Sequence, residues 1–405
     1  MKIINVFVVS ILIFSACSVQ KPAQDEVVSQ AFDFAGSQIR YALTGIEEAE
    51  GSTDPKKISP RSVRADGSIE MVSIGDWTCG FFPGELWYMY EYTSDPEWKL
   101  AAEKFTDKLE PVQYYKGDHD IGFRVYCSYG NGLRLTGNEK YKEIMMQSAR
   151  SLMTRYNPQM GLIRSWDFNK DKWQYPVIID NMMNLELLFW ACKESGDSAF
   201  YQAAVSHADK TLTNHFRADN SSYHVVVYDT ITGSAYLKCT HQGYADESAW
   251  ARGQAWGAYG FTVCYRETQN PAYLKKAEGI ISFIFNNPHL PTDLIPYWDY
   301  NAPNIPDEPK DVSAASIVAS ALYELCQYLP DRAEQYKKWA DTILESLNKN
   351  YRATAGGDGG FVLSHSVGDK RTDSEVDVPL VYADYYFLEA LLRKQQMEEN
   401  PLPKR

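Results

Sequence analysis

The stretch "ETQNPAYLKKAEGI" (Glu267–Ile280) shows most clearly how the chain folds. A helical pattern ends, Gln-Asn-Pro makes a turn, and an aromatic residue followed by alanine begins the next helix. The same pattern occurs in "YTSDPEWKLAAEKF" (Tyr92–Phe105), "LTGNEKYKEIMMQSA" (Leu135–Ala149), "ESGDSAFYQAAVSHA" (Glu194–Ala208) and "YLPDRAEQYKKWADTI" (Tyr328–Ile343). Each stretch predicts two antiparallel helices joined by a tight turn.

Helical periodicity around these turns predicts twelve helices. Their expected ranges are 26–43, 81–93, 96–110, 121–136, 138–156, 180–194, 197–217, 245–267, 270–287, 311–328, 332–350 and 376–394. Helices that follow a tight turn carry charge on one face, as outer helices do, and those before a turn are richer in apolar and small residues. We therefore predict an all-α fold, an (α/α)6 barrel of six inner and six outer helices. An open helical solenoid is the alternative, but it would alternate tight and long connections less regularly.

The long connections all lead into presumed inner helices. They cover 44–80, 111–120, 157–179, 218–244, 288–310 and 351–375. Because the inner helices of such a barrel are parallel, the long loops and six helix N-termini meet at one end. Helix N-termini favour anions, and long loops on a rigid scaffold commonly carry function. The functional site is therefore expected at this end.

Composition narrows the class of ligand. The net charge of −13 argues against nucleic acid, which needs a basic surface, but it permits a small anion held by local cations. The 28 Tyr, 17 Phe and 10 Trp residues suit core packing and also sugar-binding clefts. No His or Cys cluster has metal-ligand spacing and no Gly-rich phosphate loop is found. We expect neither a metal nor a cofactor.

The N-terminal sequence "MKIINVFVVSILIFSAC" predicts export. A lysine, an apolar run and Ser-Ala-Cys are typical of a lipoprotein signal peptide over residues 1–16, with Cys17 as the acylated residue. Polar residues 17–25 then form a tether, and 26–400 form a single catalytic domain. An ordinary cleaved signal is the alternative. The protein is expected to be periplasmic or membrane-anchored through lipid; the membrane face and the oligomeric state stay open.

The remaining six cysteines are predicted to be buried thiols. They are Cys79, Cys127, Cys192, Cys239, Cys264 and Cys326, and they mostly lie in apolar helical contexts without CxxC spacing. Export would permit disulfides, but the spacing does not indicate them.

Candidate site residues cluster at the starts of inner helices and in two long loops. They are Trp77 in "GDWTCGFFPGELW", His119 and Asp120 in "KGDHDIGF", Trp166 in "LIRSWDF", Asp180 in "IIDNMMN", His224 in the predicted hairpin "SSYHVVVYDTITGSAYLK", and Gln242, Arg252 and Trp256 in "THQGYADESAWARGQAW". Arg252 and Trp256 share a helix face because they are four residues apart.

Each candidate also has a purely structural interpretation. Asp120 and Asp180 could cap their helices, since aspartate is a good N-cap residue. Arg252 could pair with Glu247 or Asp246 at the surface. A tryptophan is more often part of the core than a ligand platform, and a histidine on an alternating strand can simply face solvent. The gathering of all these side chains at one barrel end favours function.

Two carboxylates beside tryptophan side chains suggest sugar chemistry. The apolar neighbours of Asp180 raise its pKa, while a helix N-terminus lowers it. A nearby Asp120 would raise the pKa of one carboxyl further and give an acid/base next to an ionised partner. The guanidinium of Arg252 offers a planar pair of donors to a carboxylate ligand.

The motifs "WTCGFFPGELW", "DHDIGF", "IIDNMMNLELLFWA", "THQGYADESAWARGQAWGAYGF" and "DYYFLEAL" resemble those of the unsaturated glucuronyl hydrolases, glycoside hydrolase family 88. The resemblance runs from about Trp77 to Leu391, and the family fold is (α/α)6. It implies a substrate with a 4,5-unsaturated uronic acid at the non-reducing end of a glycosaminoglycan fragment left by a polysaccharide lyase. The implied reaction is hydration of the C4=C5 vinyl ether, with no covalent sugar–enzyme intermediate.

The resemblance also implies roles for individual residues. Asp180 is the general acid/base that protonates C4 and activates water, and Asp120 is the second essential carboxylate. Arg252 helps to hold the uronate carboxylate. Substrate contacts are implied for His119, His224 and Gln242, and aromatic walls for Trp77, Trp166 and Trp256.

The segment "SHSVGDKRTDSEVDVPLVYAD" precedes the last inner helix, where members of the family vary. Its Ser364, Ser366 and Lys370 suit a sulfate on the next sugar, although a solvated loop is the simpler interpretation. Preference among chondroitin, hyaluronan and heparan fragments, and for linkage and sulfation, stays open.

Two rival functions remain at this stage. Unsaturated rhamnogalacturonyl hydrolases share the fold and perform similar chemistry on pectin fragments. A non-catalytic surface glycan-binding lipoprotein would need aromatic platforms but no acid, so it leaves the pair Asp120 and Asp180 unexplained.

Overall fold

The computed structural model describes residues 26–48 and 54–400. The predicted signal peptide 1–16, the tether 17–25 and Cys17 lie outside the described residues. Within the described part, no helix is long and apolar enough to cross a membrane.

The described residues form mainly helices. These are α1 (Glu26–Glu48), α2 (Phe81–Thr93), α3 (Pro96–Asp107), α4 (Ile121–Val125), α5 (Asn131–Thr136), α6 (Glu139–Met153), α7 (Leu185–Ser195), α8 (Ser198–Asn214), α9 (Ala251–Thr268), α10 (Pro271–Phe285), α11 (Val312–Tyr328), α12 (Ala333–Asn350) and α13 (Val381–Glu399). A π-helical segment, Tyr126–Gly130, joins α4 and α5 into one inner helix. Short 3-10 turns cover Glu110–Tyr114, Ile179–Asn184, Asp358–Gly360 and Lys370–Thr372.

Six inner helices form a closed ring inside six outer helices. The ring order is α2, α4–α5, α7, α9, α11 and α13, and α13 packs against both α11 and α2. Burial follows this division: every residue of α11 from Val312 to Cys326 is buried, whereas α12 buries one stripe of residues. The (α/α)6 prediction is confirmed, and the ring is closed, unlike an open solenoid.

The tight turns owe their shape to two adjacent residues. Gly137 and Gly196 adopt left-handed backbone angles that end α5 and α7. The next residue, Asn138 or Asp197, then caps α6 or α8 by accepting a backbone N–H two residues later, at 3.0 and 2.9 Å. Asn270 caps α10 in the same way. This pairing of a left-handed residue with an N-cap explains the repeated turn pattern in the sequence.

Small antiparallel sheets lie in the long loops. The strands are β1 (Ser59–Val63), β2 (Ile69–Val72), β3 (Tyr156–Asn157), β4 (Leu162–Ile163), β5 (Pro176–Ile178), β6 (Val225–Tyr228), β7 (Ala235–Cys239), β8 (Ser366–Asp369) and β9 (Ser374–Val378). The pairs β1–β2, β3–β4 and β8–β9 stand alone, whereas β5, β6 and β7 form one sheet. The β6–β7 pair confirms the predicted hairpin in loop 218–244.

Three predicted helix starts were wrong. The helix expected from residue 180 begins at Leu185, because Ile179–Asn184 form a 3-10 turn. The helix expected from residue 245 begins at Ala251, because the preceding segment folds onto Asp299: Tyr244 N–H and Ser248 Oγ–H both donate to its Oδ2, at 2.9 and 2.6 Å. The helix expected from 376 begins at Val381, because residues 374–378 form β9.

The six cysteines predicted as buried thiols are free in the structure. Five of them are buried, and Cys192 is half-buried.

Candidate active site

The two predicted carboxylates lie where two inner-helix entrances meet. Asp120 precedes α4, and Asp180 lies in the 3-10 turn that leads into α7. Each side chain is 13 % exposed, so solvent reaches both. The charge of Asp180 is close enough to raise the pKa of Asp120. The two carboxyl groups therefore lie close enough to belong to one site.

Neither carboxylate serves as a helix cap. Asp120 occupies the N-cap position of α4 but makes no capping hydrogen bond, and Asp180 lies inside the 3-10 turn, whose N-cap position is held by Ile178. The capping interpretation is wrong for both. Oδ2 of Asp180 is buried and has no hydrogen-bond partner among the described residues. A buried acceptor left in that state is costly unless a ligand or water completes it.

The environment of Asp180 suits a proton donor near neutral pH. Burial raises its pKa from 3.8 to about 7. The positive charge of Arg252, the residue's own backbone N–H and the indole N–H of Trp256 oppose this rise. The Trp256 contact is a weak one, because Nε1 lacks a partner at full hydrogen-bond geometry among the described residues.

Asp120 is likewise held toward its protonated form. Burial and the negative charges of Asp118 and Asp180 raise its pKa well above the ordinary value. Arg124 and the nearby amide group of Asn184, whose Nδ2 lacks a partner at full hydrogen-bond geometry among the described residues, act in the opposite direction. Two neighbouring carboxyls with raised pKa values favour their protonated forms, so either can serve as a proton donor.

His224 presents a fixed N–H to Asp180. Its Nδ1 accepts the backbone N–H groups of His241 and Gln242, both at 3.1 Å, so the proton of the neutral ring resides on Nε2. That Nε2 lies 3.6 Å from Oδ2 of Asp180. Burial lowers the pKa of His224 well below its usual value, so the ring is neutral.

The sheet formed by β5 and β6 explains why His224 meets Asp180. Ile179 N–H donates to the carbonyl of His224 at 3.0 Å, which continues the β5–β6 ladder by one residue. The residue after Ile179 is Asp180. Loops that are 44 positions apart in the sequence are thereby brought into register.

His119 has a similar arrangement with Asp120. Its Nε2 lies 3.3 Å from Oδ1 of Asp120, and its Nδ1 lies 3.4 Å from the Ser165 hydroxyl. Because that hydroxyl already accepts the Ile178 N–H, its own hydrogen is free to point to Nδ1. Burial lowers the pKa of His119 to about 3, so this ring is also neutral.

The guanidinium of Arg252 forms hydrogen bonds within the protein. Its Nη1 donates to Oδ2 of Asp311 at 3.0 Å and also to the carbonyl of Val367, and its Nη2 donates to the carbonyl of Gly368 at 2.7 Å. The predicted surface pair with Glu247 or Asp246 is wrong, because the residue is only 1 % exposed, Glu247 pairs instead with Arg217, and the Asp246 carboxylate accepts the Thr240 N–H. Contact with a substrate carboxylate stays a prediction.

Gln242 contacts the same hairpin as Arg252. Its Nε2 donates to the carbonyl of Gly368 at 3.1 Å, while its backbone N–H serves His224. The β8–β9 hairpin is therefore fastened directly to loop 240–242, which sets the His224 tautomer.

The three predicted tryptophans occupy different surroundings. Trp166 is half-buried and stacks with Phe168 and Trp173 at ring separations of 4.9 and 5.8 Å. Trp77 is also half-buried and lies 4.8 Å from the ring of Tyr382.

Trp256 differs from the other two because it is fully buried. Its ring packs against Phe123 and Tyr386, at centroid separations of 5.1 and 5.5 Å. The prediction of an open aromatic wall is wrong for Trp256, which contributes its N–H near Asp180.

The three residues suggested for a sulfate do not form one surface. Ser366 is completely buried, so a substrate sulfate cannot reach it in this structure. Lys370 is half-buried and pairs with Asp373 at 3.3 Å. Ser364 is half-buried, and its backbone N–H donates to Tyr351. The prediction of a sulfate site shared by these three residues is therefore wrong, and the burial of Ser366 contradicts it most clearly.

Sequence reasoning did not assign roles to several residues that support the site. They are Asp118, Arg124, Asn181, Asn184, His241, Trp250 and Asp311. Four of them lie within the motifs "DHDIGF" and "IIDNMMN" or directly beside them, so their positions in the sequence could have indicated a role in the site. The position of Asp311 gives no such indication, because it is 59 residues from its partner Arg252.

Within residues 26–48 and 54–400, no three His, Cys, Asp or Glu side chains form a group suited to a metal ion. The polar groups of the site described above are carboxyl groups, neutral imidazoles and buried cations.

Comparison with known proteins agrees with this site. Residues 55–267 match the model of Glycosyl Hydrolase Family 88. The chain is 49 % identical to the unsaturated glucuronyl hydrolase of Formosa agariphila, over 84 % of this chain and 85 % of that protein. It is 33 % identical to the unsaturated chondroitin disaccharide hydrolase of Streptococcus pneumoniae, over 91 % and 92 %.

The fold comparison gives the same result. A crystal structure of an unsaturated glucuronyl hydrolase specific for heparin superposes with a TM-score of 0.87 and 45 % identity, covering 93 % of this chain and 99 % of that one. Sequence and architecture thus agree over nearly the full length: the chain belongs to glycoside hydrolase family 88 and is a glycoside hydrolase.

Proposed function

We propose that this protein removes a 4,5-unsaturated uronic acid from the non-reducing end of glycosaminoglycan disaccharides and short oligosaccharides produced by lyases. One observation supports this most directly. Asp120 and Asp180 are two partly exposed carboxyl groups at neighbouring inner-helix entrances, each with a raised pKa, and the charge of Asp180 contributes to the rise at Asp120.

The proposed reaction adds water across the C4=C5 double bond. Protonated Asp180 gives its proton to C4, and the ring oxygen stabilises the positive charge that develops at C5. Water then forms a bond to C5, and its proton returns to the Asp180 carboxylate. The resulting hemiketal opens by breaking the bond between C5 and the ring oxygen. The glycosidic carbon is left as a hemiacetal, which releases the next sugar. No covalent bond to the enzyme is needed.

The neighbouring residues have defined parts in this scheme. Asp120 is the second carboxyl group and orients the substrate, and His224 and His119 offer neutral N–H donors beside the two carboxyls. Burial of the site would strengthen any hydrogen bond that these donors make to a carboxyl or to the substrate. Arg252 contributes a fixed positive charge near Asp180, which also favours an anionic sugar.

The names of the relatives support the substrate class. They include an unsaturated glucuronyl hydrolase, an unsaturated chondroitin disaccharide hydrolase and an enzyme specific for heparin. These substrates share an unsaturated uronate and differ in the adjoining sugar and its sulfation. We therefore propose the uronate as the common recognised unit.

A panel of lyase-generated disaccharides tests the proposal. The panel contains sulfated and unsulfated chondroitin, hyaluronan and heparan disaccharides, and an unsaturated rhamnogalacturonan disaccharide. Turnover is followed as loss of the ultraviolet absorbance of the vinyl ether. We expect activity on at least one glycosaminoglycan member. Activity on the pectin fragment alone would favour the rhamnogalacturonyl alternative, and binding without turnover would favour a glycan-binding protein.

We also propose that the protein is exported and anchored by lipid at Cys17. The support is the sequence "MKIINVFVVSILIFSAC", in which a charged residue, an apolar run and a small-residue site precede the cysteine. An enzyme anchored in this way would meet oligosaccharides outside the cytoplasm.

A further inference from the structure

We propose that Asp118 is a positioning residue for Asp120, fixed in place by a two-pronged ion pair with the buried Arg124. The proposal rests on the proposed hydrolase function, because the effect is measured through turnover. It gives a role to two charged residues that the proposed reaction does not use directly.

The contacts of Asp118 reach Asp120 directly. Oδ1 of Asp118 accepts the backbone N–H of Asp120 at 2.9 Å, and it also accepts Nη1 of Arg124 at 2.7 Å. Oδ2 accepts Nη2 of Arg124 at 2.9 Å and the hydroxyl of Tyr115 at 3.2 Å. The Asp118 carboxylate thus holds the peptide that carries the Asp120 side chain.

The side chain of Arg124 is itself held by contacts within the protein. Its side chain is 0 % exposed. Nε donates to the carbonyl of Asp76 at 3.0 Å, and Nη2 also donates to the carbonyl of Gly75 at 2.8 Å. The guanidinium stacks 4.4 Å from the Tyr115 ring centre. A bidentate pair with this many supports has little freedom to move.

The anchoring continues to the hairpin at the mouth of the site. Asp76 accepts Nη1 of Arg61 through Oδ2 at 2.8 Å. The remaining donors of Arg61 bind both carboxylate oxygens of Glu375 in β9, each at 2.6 Å. Asp118 is therefore one end of a network that links Asp120 to the β8–β9 hairpin.

Asp118 also places a negative charge beside Asp120. The charged and titratable groups around Asp120 are Asp118, His119 and Arg124 from its own segment, Tyr115 from the preceding loop, and Asp180 from the 3-10 turn before α7. Like charges favour the protonated form of a carboxyl, and Arg124 opposes this effect. Positioning and charge are two separable contributions of Asp118.

The variant Asp118→Asn separates them. An asparagine Oδ1 can still accept the Asp120 N–H, but the negative charge is gone. Loss of this charge should lower the pKa of Asp120, so we expect the alkaline limb of kcat/KM that depends on protonated Asp120 to move to lower pH. We expect kcat at pH 5.5 to stay within about threefold of wild type, because the backbone contact is kept. Asp118→Ala removes both contributions and should also reduce kcat at this pH.

Glu91→Gln is the matched control. Glu91 accepts Arg134 in a similar two-pronged pair, at 2.7 and 2.5 Å, but lies on α2 close to its tight-turn end. We expect its pH profile to match wild type. An unmoved alkaline limb in Asp118→Asn, or an equal shift in Glu91→Gln, would overturn the proposal.

A folding failure of Asp118→Asn leaves a second test. Asp118→Glu keeps the charge and displaces it by one methylene, so we expect a wild-type alkaline limb with a reduced kcat. A wild-type kcat in that variant would refute the positioning role. Failure of the proposed function is distinct, because wild-type protein would then turn over no member of the disaccharide panel.

Discussion

Nε2 of His224 lies 3.6 Å from Oδ2 of Asp180, while Nδ1 of the same ring accepts backbone N–H groups from His241 and Gln242. The backbone thus fixes the tautomer of a neutral imidazole so that its only proton faces the proposed acid. The second ring, His119, repeats the arrangement beside Asp120. Each carboxyl therefore has a neutral donor at its side.

The two functions of the His224 ring can be removed one at a time. In His224→Asn the amide oxygen can replace Nδ1 as the acceptor for loop 240–242, but no donor reaches Asp180. We expect near-normal folding and a loss in kcat/KM of about 10- to 100-fold, the value of a hydrogen bond to a charged group. His224→Gln is the reverse case and should keep more activity but loosen the loop. Equal kinetics in the two variants would contradict the tautomer assignment.

Asp180→Asn should remove turnover while the fold is kept. The amide cannot give a proton to C4 or take one from water, and loss of a general acid/base costs about 10²- to 10⁴-fold in rate. The side chain makes no capping bond, so the helix start does not depend on it. Initial rates by vinyl-ether absorbance and circular dichroism are the measurements. A variant within tenfold of wild type would rule out the acid/base role.

The same variant should be more stable than wild type at alkaline pH. Burial raises the pKa of Asp180 from 3.8 to about 7, so between these values the folded form binds a proton that the unfolded form has lost. Stability from this group is therefore present at low pH and is lost as pH rises toward 7. Asn carries no such penalty.

Urea unfolding at pH 4 and pH 8 measures this difference. We expect Asp180→Asn to exceed wild type by on the order of 3 kcal/mol at pH 8, and the two proteins to converge at pH 4. A constant gap at both values would show that Asp180 is not strained by burial.

Arg252→Ala should destabilise the protein as well as weaken binding of the acidic sugar. The substitution leaves the carboxylate of Asp311 buried at 0 % exposure without its cation, and it frees the carbonyls of Val367 and Gly368. Breaking a buried pair costs about 3–5 kcal/mol. Lys140→Ala breaks the exposed pair with Glu110 and should cost less than about 1 kcal/mol. Similar unfolding midpoints for the two variants would contradict the anchoring role.

Cys17→Ser should release the protein from membranes. A serine cannot be acylated, so we expect loss of label from a clickable fatty acid and transfer of the protein to the soluble fraction. Cys192→Ser is the control, because that thiol lies in α7 and is half-buried. Unlabelled wild-type protein would support an ordinary cleaved signal.

Local sequence patterns were sufficient to predict the barrel. A turn such as Gly196–Asp197 can be predicted from the local sequence, because glycine supplies the left-handed residue and aspartate caps the next helix. Helix boundaries were harder to predict where residues distant in the chain form hydrogen bonds with the segment before the helix. The start of α9 is delayed by hydrogen bonds to Asp299, which is some 50 residues away in the chain and invisible to a local pattern.

The candidate site shows the same difference between residues in local motifs and residues paired over a long distance in the chain. Asp120, His119 and Asp180 could be predicted as neighbours because they lie in short motifs at helix entrances. The partner of Arg252 was missed, because Asp311 belongs to another inner helix and nothing in the sequence pairs the two. Burial of Trp256 and Ser366 was also missed, since a residue type alone does not say whether a long loop covers it.

The contact of α13 with both α11 and α2 has a consequence for the biogenesis of this protein. The two ends of the ring meet only when α13 is available, and every other inner helix precedes it in the chain. Until then α2 and α11 each have an uncovered apolar side. A nascent chain that stops before residue 381 should therefore remain open and keep these two helix faces exposed.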